Sequence, residues 1–367
     1  MKFVKSFIFD AIDRLLRAPT MRVILRRRMA DLLQSPPRVT LHFDNFRQPS
    51  DYPFLPHLDD LAHSVSFAAN FRRPIFITAR FRSGSTFLWQ LFRAIEGITS
   101  YYEPLNERNW LTDSNARVDP THLGVRDYAA EYRCLPNKNV FDTSWAFHRL
   151  YLDEKDHHPK LATYLQALID AAPGRAVLQF NRVDFRLAWL RAHFPTAHLI
   201  HLYRDPREQW VSILRKSRRK IPLNQLAKSS DWGRDLFYTY EWCQDLQGIF
   251  PFLDPDQDQH PYYFHYALWR LSYLYGRHFA QQSIAYESLI ANFDATLRAL
   301  FQVIDLTPDA IDKLQSINQG QTKKHAAEYA PDDWFAWIEQ QCERVIRNYF
   351  STQTQRSSLI RPKHVEV

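Results

Sequence analysis

The sequence predicts an α/β fold built on a parallel sheet covered by helices on both faces. Two observations carry this expectation. From about residue 70 onward, short and nearly continuous apolar runs recur. Each run is followed by a segment with helical periodicity. Strands that are buried on both sides read as unbroken apolar runs, and their alternation with helices is the pattern of a parallel sheet. No internal repeat at a solenoid period competes with this reading.

Residues 1–50 read as helical segments ending in the loop Ser35-Pro36-Pro37. The first strand is expected in Pro74-Ile75-Phe76-Ile77-Thr78, with a helix over 85–95. The second is Ala176-Val177-Leu178-Gln179-Phe180, followed by a helix over 185–193. The third, His198-Leu199-Ile200-His201-Leu202-Tyr203, leads into a helix over 206–217. The fourth, Ser283-Ile284-Ala285-Tyr286, precedes a helix over 289–304. The stretch 218–262 is polar, aromatic and turn-rich and reads as an insertion. Residues 318–331 read as a loop, and a last helix is expected from about Asp332 to Tyr349, with Trp334, Trp337, Ile338 and Ile346 at helical spacing. The organisation is then an N-terminal helical extension (1–50), one main domain (51–350) and a C-terminal tail (351–367).

Composition narrows the function classes. With 45% hydrophobic and 24% charged residues in a chain of 367, a sizeable core can form and wholesale disorder is excluded. The three cysteines, Cys134, Cys243 and Cys342, are odd in number and widely spaced, so neither a disulfide framework nor a metal knuckle can be drawn. A reduced, cytoplasmic compartment follows as the simpler expectation. The net charge of +7 suits an anionic ligand, a nucleic acid or a membrane surface. No recognition motif supports nucleic acid. No run reaches the roughly 20 apolar residues of a membrane span. The interleaved apolar and basic residues of Met1–Leu16 lack the continuous core of a signal peptide. They read instead as an amphipathic basic helix, expected to pack on the domain, with peripheral contact to the inner face of a membrane as the alternative.

The most informative stretch is Ile75 to Leu88, where a buried strand runs into Arg82-Ser83-Gly84-Ser85-Thr86 and then into an apolar helix. That layout collects unpaired backbone N–H groups and the positive helix end at one spot. Gly84 permits close backbone approach, Ser83, Ser85 and Thr86 add hydroxyls, and Arg82 adds a fixed cationic fork. The site suits a phosphate-like anion. It is not a Walker A loop, because Ala79 and Ser85 stand where that motif needs Gly and Lys. A second strand end repeats the layout in Tyr203-Arg204-Asp205-Pro206, with Asp205 as N-cap, Pro206 at the first helical position and Ser212 two turns on. Arg204 and Ser212 can bracket a second anion. Two such sites at parallel strand ends suit a nucleotide with phosphates at both ends of its ribose.

At this point the sequence resembles the sulfotransferases that use 3′-phosphoadenosine 5′-phosphosulfate (PAPS). Arg82-Ser83-Gly84-Ser85-Thr86-Phe87-Leu88 is similar to the family's 5′-phosphosulfate loop, in the R-S-G form of carbohydrate and bacterial members. Arg204 with Ser212 eight residues later matches the 3′-phosphate motif, and Ala285-Tyr286-Glu287-Ser288-Leu289 resembles a third recurring element. The resemblance spans roughly residues 70–305. It implies a P-loop-like three-layer fold, no bound metal, and transfer of a sulfuryl group from PAPS to an acceptor hydroxyl or amine. Arg82 would stabilise charge on the leaving phosphate, since Arg does not readily release a proton. Phe87 would lie against the adenine. Glu103, in Tyr101-Tyr102-Glu103-Pro104, resembles a base candidate of carbohydrate-type members. Arg182 would be a second cation near the sulfate, and Lys323 and Lys324 would close over the 3′-phosphate. The loop form and the aromatic residues Trp232, Phe237, Tyr238, Tyr240, Trp242, Tyr262 and Tyr263 favour a carbohydrate or glycolipid acceptor. A P-loop nucleotide kinase or NTPase, and a non-catalytic nucleotide-binding module, are the alternatives.

Two further signals carry no site. Asp254, Asp256 and Asp258 begin like an EF-hand loop, but Gln259 and His265 occupy its Gly and Glu positions. His157-His158 lacks spaced partner ligands for a metal. The run Arg215–Lys220 closes a helix at its C-terminus, where cations belong, and could also attract an acidic polysaccharide or lipid headgroup.

Overall fold

In the computed structural model the described residues are 73–112, 118–119, 122, 125–135, 140–226, 237–307, 311–317 and 325–360. The N-terminal extension lies outside them. Up to Thr352 the described residues fall within one unit.

Five strands are formed: β1 (Ile75–Ala79), β2 (Ile98–Tyr102), β3 (Arg175–Phe180), β4 (His198–Tyr203) and β5 (Gln282–Ala285). The helices are α1 (Ser85–Arg93), α2 (Pro159–Ala171), α3 (Leu187–His193), α4 (Pro206–Ser217), α5 (Thr239–Leu246), α6 (Pro261–Phe279), α7 (Tyr286–Ala291), α8 (Phe293–Val303), α9 (Ile311–Leu314), α10 (Ala326–Tyr329) and α11 (Asp332–Ile360). The strands make one sheet in the order β2-β3-β1-β4-β5, and every neighbouring pair is parallel. Central β1 is in register with both neighbours, Ile77 lying between Gln179 of β3 and Ile200 of β4.

Alternation along β1 builds the two outer layers. Ile75, Ile77 and Ala79 face a core completed by Leu88, Leu91 and Phe92 of α1 and by Leu297, Leu300 and Phe301 of α8. Phe76 points the other way and meets the rings of Phe180 and Phe194 edge-on at 5.8 and 5.3 Å. Helix α6 packs against β4 and β5. The fold is therefore the α/β arrangement of a central parallel sheet flanked by helices. The strand order places a crevice where function is expected. The chain leaves β1 toward β2 on one side and leaves β4 toward β5 on the other, so the carboxyl ends of β1 and β4 diverge at a topological switch point.

Four elements differ from the sequence expectation. β2 reads Ile-Thr-Ser-Tyr-Tyr, lies at the sheet edge and offers no continuous apolar run. Helix α6 begins inside the supposed insertion, and every residue from Pro261 to Gly276 is buried, so it shows no amphipathic stripe. The segment 289–304 breaks at Asn292 into α7 and α8. The last helix also continues to Ile360, past the expected Tyr349 and into the supposed tail. Its buried face is Phe335, Ile338, Cys342, Ile346 and Phe350, whereas Trp337 is 64% exposed. Among the described residues no helix is long and apolar enough to cross a membrane.

Candidate active site at the switch point

The loop after β1 is tied to itself before it can hold anything else. Ser83 Oγ donates to the Arg80 carbonyl at 2.6 Å, and the Ser83 N–H reaches the same oxygen at 3.3 Å. Arg82 and Gly84 both take the left-handed conformation, with φ of 64° and 89°. Gly84 is the N-cap of α1 and no side chain caps that helix. The N–H groups of the first turn are therefore left to an external acceptor, in the field of the helix dipole. A Cβ on Gly84 would fall 2.2 Å from the Tyr286 ring, so only glycine fits under that residue.

The end of β4 supplies the second half. The Asp205 carboxylate accepts from the N–H groups of Arg207 and Glu208 and starts α4 as an N-cap. The two strand ends are joined directly. Arg204 Nη1 donates to the Arg82 carbonyl at 3.2 Å, and Arg82 Nε donates to Ser212 Oγ at 3.1 Å. Gln209 Nε2 donates to the Phe81 carbonyl at 2.7 Å. Tyr286 and Glu287, the first residues of α7 directly after β5, brace this junction. Arg204 lies over the Tyr286 ring at 5.1 Å, and Glu287 accepts the Asp205 N–H at 3.1 Å. A cavity of about 430 Å³ opens here, lined by Arg82, Arg204, Ser212, Arg215, Lys216 and Arg218 together with Asp119, Glu208 and His325. Burial, with Arg204 close by, lowers the Arg82 pKa against the opposing pull of Asp119. Arg204 Nε is buried with no hydrogen-bond partner. A cationic fork with an unsatisfied donor, beside an uncapped helix start, fits an anionic ligand.

Glu103 sits just past β2 in a left-handed conformation (φ 42°) and is 7% exposed. Its Oε1 accepts from Asn181 Nδ2 at 2.6 Å, and its Oε2 accepts from Asn106 Nδ2 at 2.6 Å and Arg182 Nη1 at 2.9 Å. Arg182 also bonds Glu107 at 2.6 Å, and its guanidinium lies over the Phe81 ring at 4.8 Å. Tyr238 donates to the other Glu107 oxygen. Burial opposes the Arg182 charge, but Glu103 and Glu107 outweigh it and raise its pKa. Glu107 is pushed up by burial, yet Arg182 and Tyr238 bring it below the ordinary carboxylate value.

The structure thus brings together Arg82, Ser83, Gly84, Ser85, Thr86, Arg204 and Ser212. Phe87 is half-buried, its ring 6.4 Å from Phe293. Arg182 is only 3% exposed and its guanidinium is paired with the Glu103 and Glu107 carboxylates. Lys323, Lys324 and Trp232 lie outside the described residues. His325, the residue after Lys324, lines the cavity and is held there by Glu208, which accepts its N–H at 2.8 Å. Trp242, Tyr262 and Tyr263 are buried core residues, which removes them as an acceptor platform. Phe237 and Tyr238 are half-buried, and their rings are 5.5 and 6.4 Å from Phe81. Sequence reasoning gave no role to Tyr102 and Glu107, which flank Glu103, or to His122, which the loop after β2 brings back to Thr86. Among the described residues no cluster of three or more His, Cys, Asp or Glu is arranged to hold a metal ion.

The Sulfotransferase family profile matches residues 74–257, half of the chain and the part that carries β1 to β4 and both anion motifs. No match is found among curated proteins. Solved structures with some similarity include a sulfotransferase from Mycobacterium avium, 14% identical, with 77% of each chain covered and a TM-score of 0.40. A sulfotransferase from Mycobacterium tuberculosis is 16% identical over 73% of this chain and 76% of its own, with a TM-score of 0.40. The sulfotransferase domain of the olefin synthase from Synechococcus is 15% identical over 76% and 95%, with a TM-score of 0.37. With a family match over half its length, on the segment that carries both strand-end motifs, this chain belongs to the Sulfotransferase family.

Proposed function

We propose that the chain transfers a sulfuryl group from PAPS to a hydroxyl of a carbohydrate or glycolipid, releasing adenosine 3′,5′-bisphosphate. The observation that carries this reading is the direct junction of two anion sites at adjacent strand ends, Arg82 to Ser212 at 3.1 Å and Arg204 to the Arg82 carbonyl at 3.2 Å. A nucleotide with phosphates at its 3′ and 5′ ends spans such a pair. In the reading, Arg204 and Ser212 hold the 3′-phosphate, and the α1 N-terminus with Thr86 holds the 5′-phosphate. The acceptor oxygen forms a bond to sulfur as the bond from sulfur to the phosphate oxygen breaks. The electron pair stays on the departing phosphate, where Arg82 stabilises it. The acceptor proton passes to Glu103, and Arg182, Asn181 and Asn106 fix that carboxylate. Arg182 is thus a positioning residue for the base. Phe237 and Tyr238, half-buried beside Phe81 and Glu107, offer an aromatic face with polar neighbours of the kind that stacks on sugars.

The test is calorimetric binding of adenosine 3′,5′-bisphosphate beside adenosine 5′-monophosphate and magnesium ATP, on wild type and Arg204→Ala. The bisphosphate is expected to bind at least about tenfold tighter than the monophosphate, with that preference lost in the variant, as for a charge-assisted contact of about 1.5–3 kcal/mol. A preference for magnesium ATP would overturn the reading in favour of a nucleotide kinase. Bisphosphate binding with no sulfuryl transfer to any carbohydrate or lipid fraction, unaffected by Glu103→Gln, would make the chain a binding module.

A further inference from the structure

The loop between β2 and the short helical turn at Ala130–Cys134 brings an imidazole to the 5′ side of the site. His122 Nε2 lies 3.4 Å from Thr86 Oγ1, and His122 Nδ1 lies 2.5 Å from the Tyr128 hydroxyl. That hydroxyl already accepts the Asp119 N–H at 3.0 Å. Thr86 Oγ1 is also 3.1 Å from the Tyr102 hydroxyl. The arrangement is built rather than incidental. Tyr128 stacks on Tyr102 with ring centroids 4.6 Å apart and meets the His122 ring edge-on at 5.8 Å. The His122 N–H donates to the Asp119 carbonyl at 2.9 Å, and the Asp119 carboxylate is tied to Lys216 of α4 at 2.6 Å. The loop is therefore anchored to both halves of the anion site.

One assignment of the protons satisfies these groups together. Tyr128 has one hydroxyl proton, and its oxygen is already an acceptor. Donation of that proton to Nδ1 satisfies the phenol and leaves the remaining imidazole proton on Nε2, facing Thr86. In this assignment the Tyr102 hydroxyl, 3.1 Å away, donates to the second lone pair of Thr86 Oγ1, so both acceptor positions are filled and the Thr86 proton is turned outward to the loop after β1. We propose that His122 is a positioning residue, which through Thr86 aims a hydroxyl donor at the 5′-terminal phosphate of the bound nucleotide. The chain Tyr128–His122–Thr86–phosphate is polarised in one direction, and each donor strengthens the next as charge grows on the leaving phosphate. The groups facing the imidazole are Asp119 and Lys216, Arg82 from the β1 loop, Glu103, and the Tyr102 and Tyr128 phenols. Burial, with Arg82 and Lys216 in support, lowers the His122 pKa against Asp119 and Glu103, and so keeps the ring neutral with one proton to place.

This inference rests on the proposed donor site, and the experiment separates the two. Bisphosphate binding is measured on wild type, Thr86→Ala, His122→Ala and the double variant, with melting temperatures as a check on folding. His122→Ala is expected to weaken binding about tenfold with Thr86 present and less than about twofold without it. His122→Gln, which keeps a donor and an acceptor in reach, should recover most of the loss. Nitrogen NMR of the ligand-free protein at pH 7 should show the Nε2–H tautomer of His122, a readout that needs no nucleotide. An equal loss in both Thr86 backgrounds, or the Nδ1–H tautomer, overturns the proposal. So does unchanged affinity with a turnover whose acid limb vanishes in His122→Gln, since that marks a proton acceptor instead. If wild type binds no bisphosphate, the donor-site reading fails, while the tautomer still decides the hydrogen-bond assignment.

Discussion

Replacing Gly84 by alanine should disable the anion site while leaving the fold in place. Gly84 adopts φ 89°, and the added Cβ would lie 2.2 Å from Cδ2 and 2.4 Å from Cε2 of Tyr286. The left-handed backbone alone costs a non-glycine residue about 1–2 kcal/mol. Reaching ordinary van der Waals separation requires the ring to retreat by roughly 1 Å, which a close-packed environment resists. The Tyr286 ring cannot retreat without disturbing Arg204, which rests over it at 5.1 Å and contacts the Arg82 carbonyl at 3.2 Å. Each kcal/mol lowers the melting temperature by about 2–4 °C in domains of 150–250 residues, so a drop of several degrees is expected. Loss of one charge-assisted contact from Arg204 adds about 1.5–3 kcal/mol to the binding free energy, a ten- to hundredfold weaker affinity for adenosine 3′,5′-bisphosphate. Calorimetric titration and thermal melting read the two effects separately. Gly84→Ala combined with Tyr286→Ala removes the collision but keeps the backbone cost, and part of the stability should return without the affinity. A Gly84→Ala protein with wild-type affinity would refute the argument that this glycine, the tyrosine and Arg204 form one stack.

Two other outcomes follow from buried charge. Arg182→Met leaves Glu103 and Glu107 without their shared cation, and removing one partner of a buried pair costs about 3–5 kcal/mol; urea unfolding at pH 7 should show this, with stability recovered in Arg182→Met combined with Glu103→Gln and Glu107→Gln. A change below about 1 kcal/mol would place the ion cluster in solvent. The second concerns acid. Burial depresses His198 and His260 from 6.5 to about 4, and His201 and His265 to about 3. The folded state therefore binds fewer protons than the unfolded chain between those values and 6.5, so the stability these residues contribute is complete above pH 6.5 and declines as pH falls toward 4. Urea midpoints at pH 7, 5.5 and 4.5 should decrease in that order, and a midpoint that stays constant would show that these imidazoles titrate normally in the fold.

Much of the sheet is legible in the sequence because parallel strands buried on both faces cannot hide their composition. β1, β3, β4 and β5 are unbroken enough to recognise, and each is followed by its helix. β2 escapes because an edge strand can carry Thr99 and Ser100 and still pair along one side only. Helix α6 escapes for the opposite reason. It is buried all round, so its apolar residues do not recur at 3.6 positions, and its tyrosines and tryptophan resemble a surface for ligands as readily as a core. Gly276 in that helix is explained only by tertiary contact, since a Cβ there would fall 2.3 Å from the His201 ring.

The site divides along the same line. Arg82 to Thr86 and the Arg204–Ser212 pair are legible because each motif is local, one on a strand–turn–helix and one on a strand end plus two helical turns. Their joining is not local. It depends on a sheet order that sets β1 beside β4 and on the start of α7 just past β5, where Tyr286 and Glu287 reach back to Arg204 and Asp205. Helix α4 then distributes the consequences of its Asp205 cap. Ser212 turns to Arg82, Glu208 receives the N–H groups of His325 and Ala326, and Arg207 grips Glu339 of α11 through two bonds of 2.8 Å. Three residues on one short helix thus fix the β1 loop, the segment after Lys324 and the last helix relative to the β4 end. The Tyr286–Glu287 element is consequently a brace for the β4 end: the Tyr286 ring carries the Arg204 guanidinium, which touches the Arg82 carbonyl, and Glu287 holds the Asp205 N–H at the start of α4.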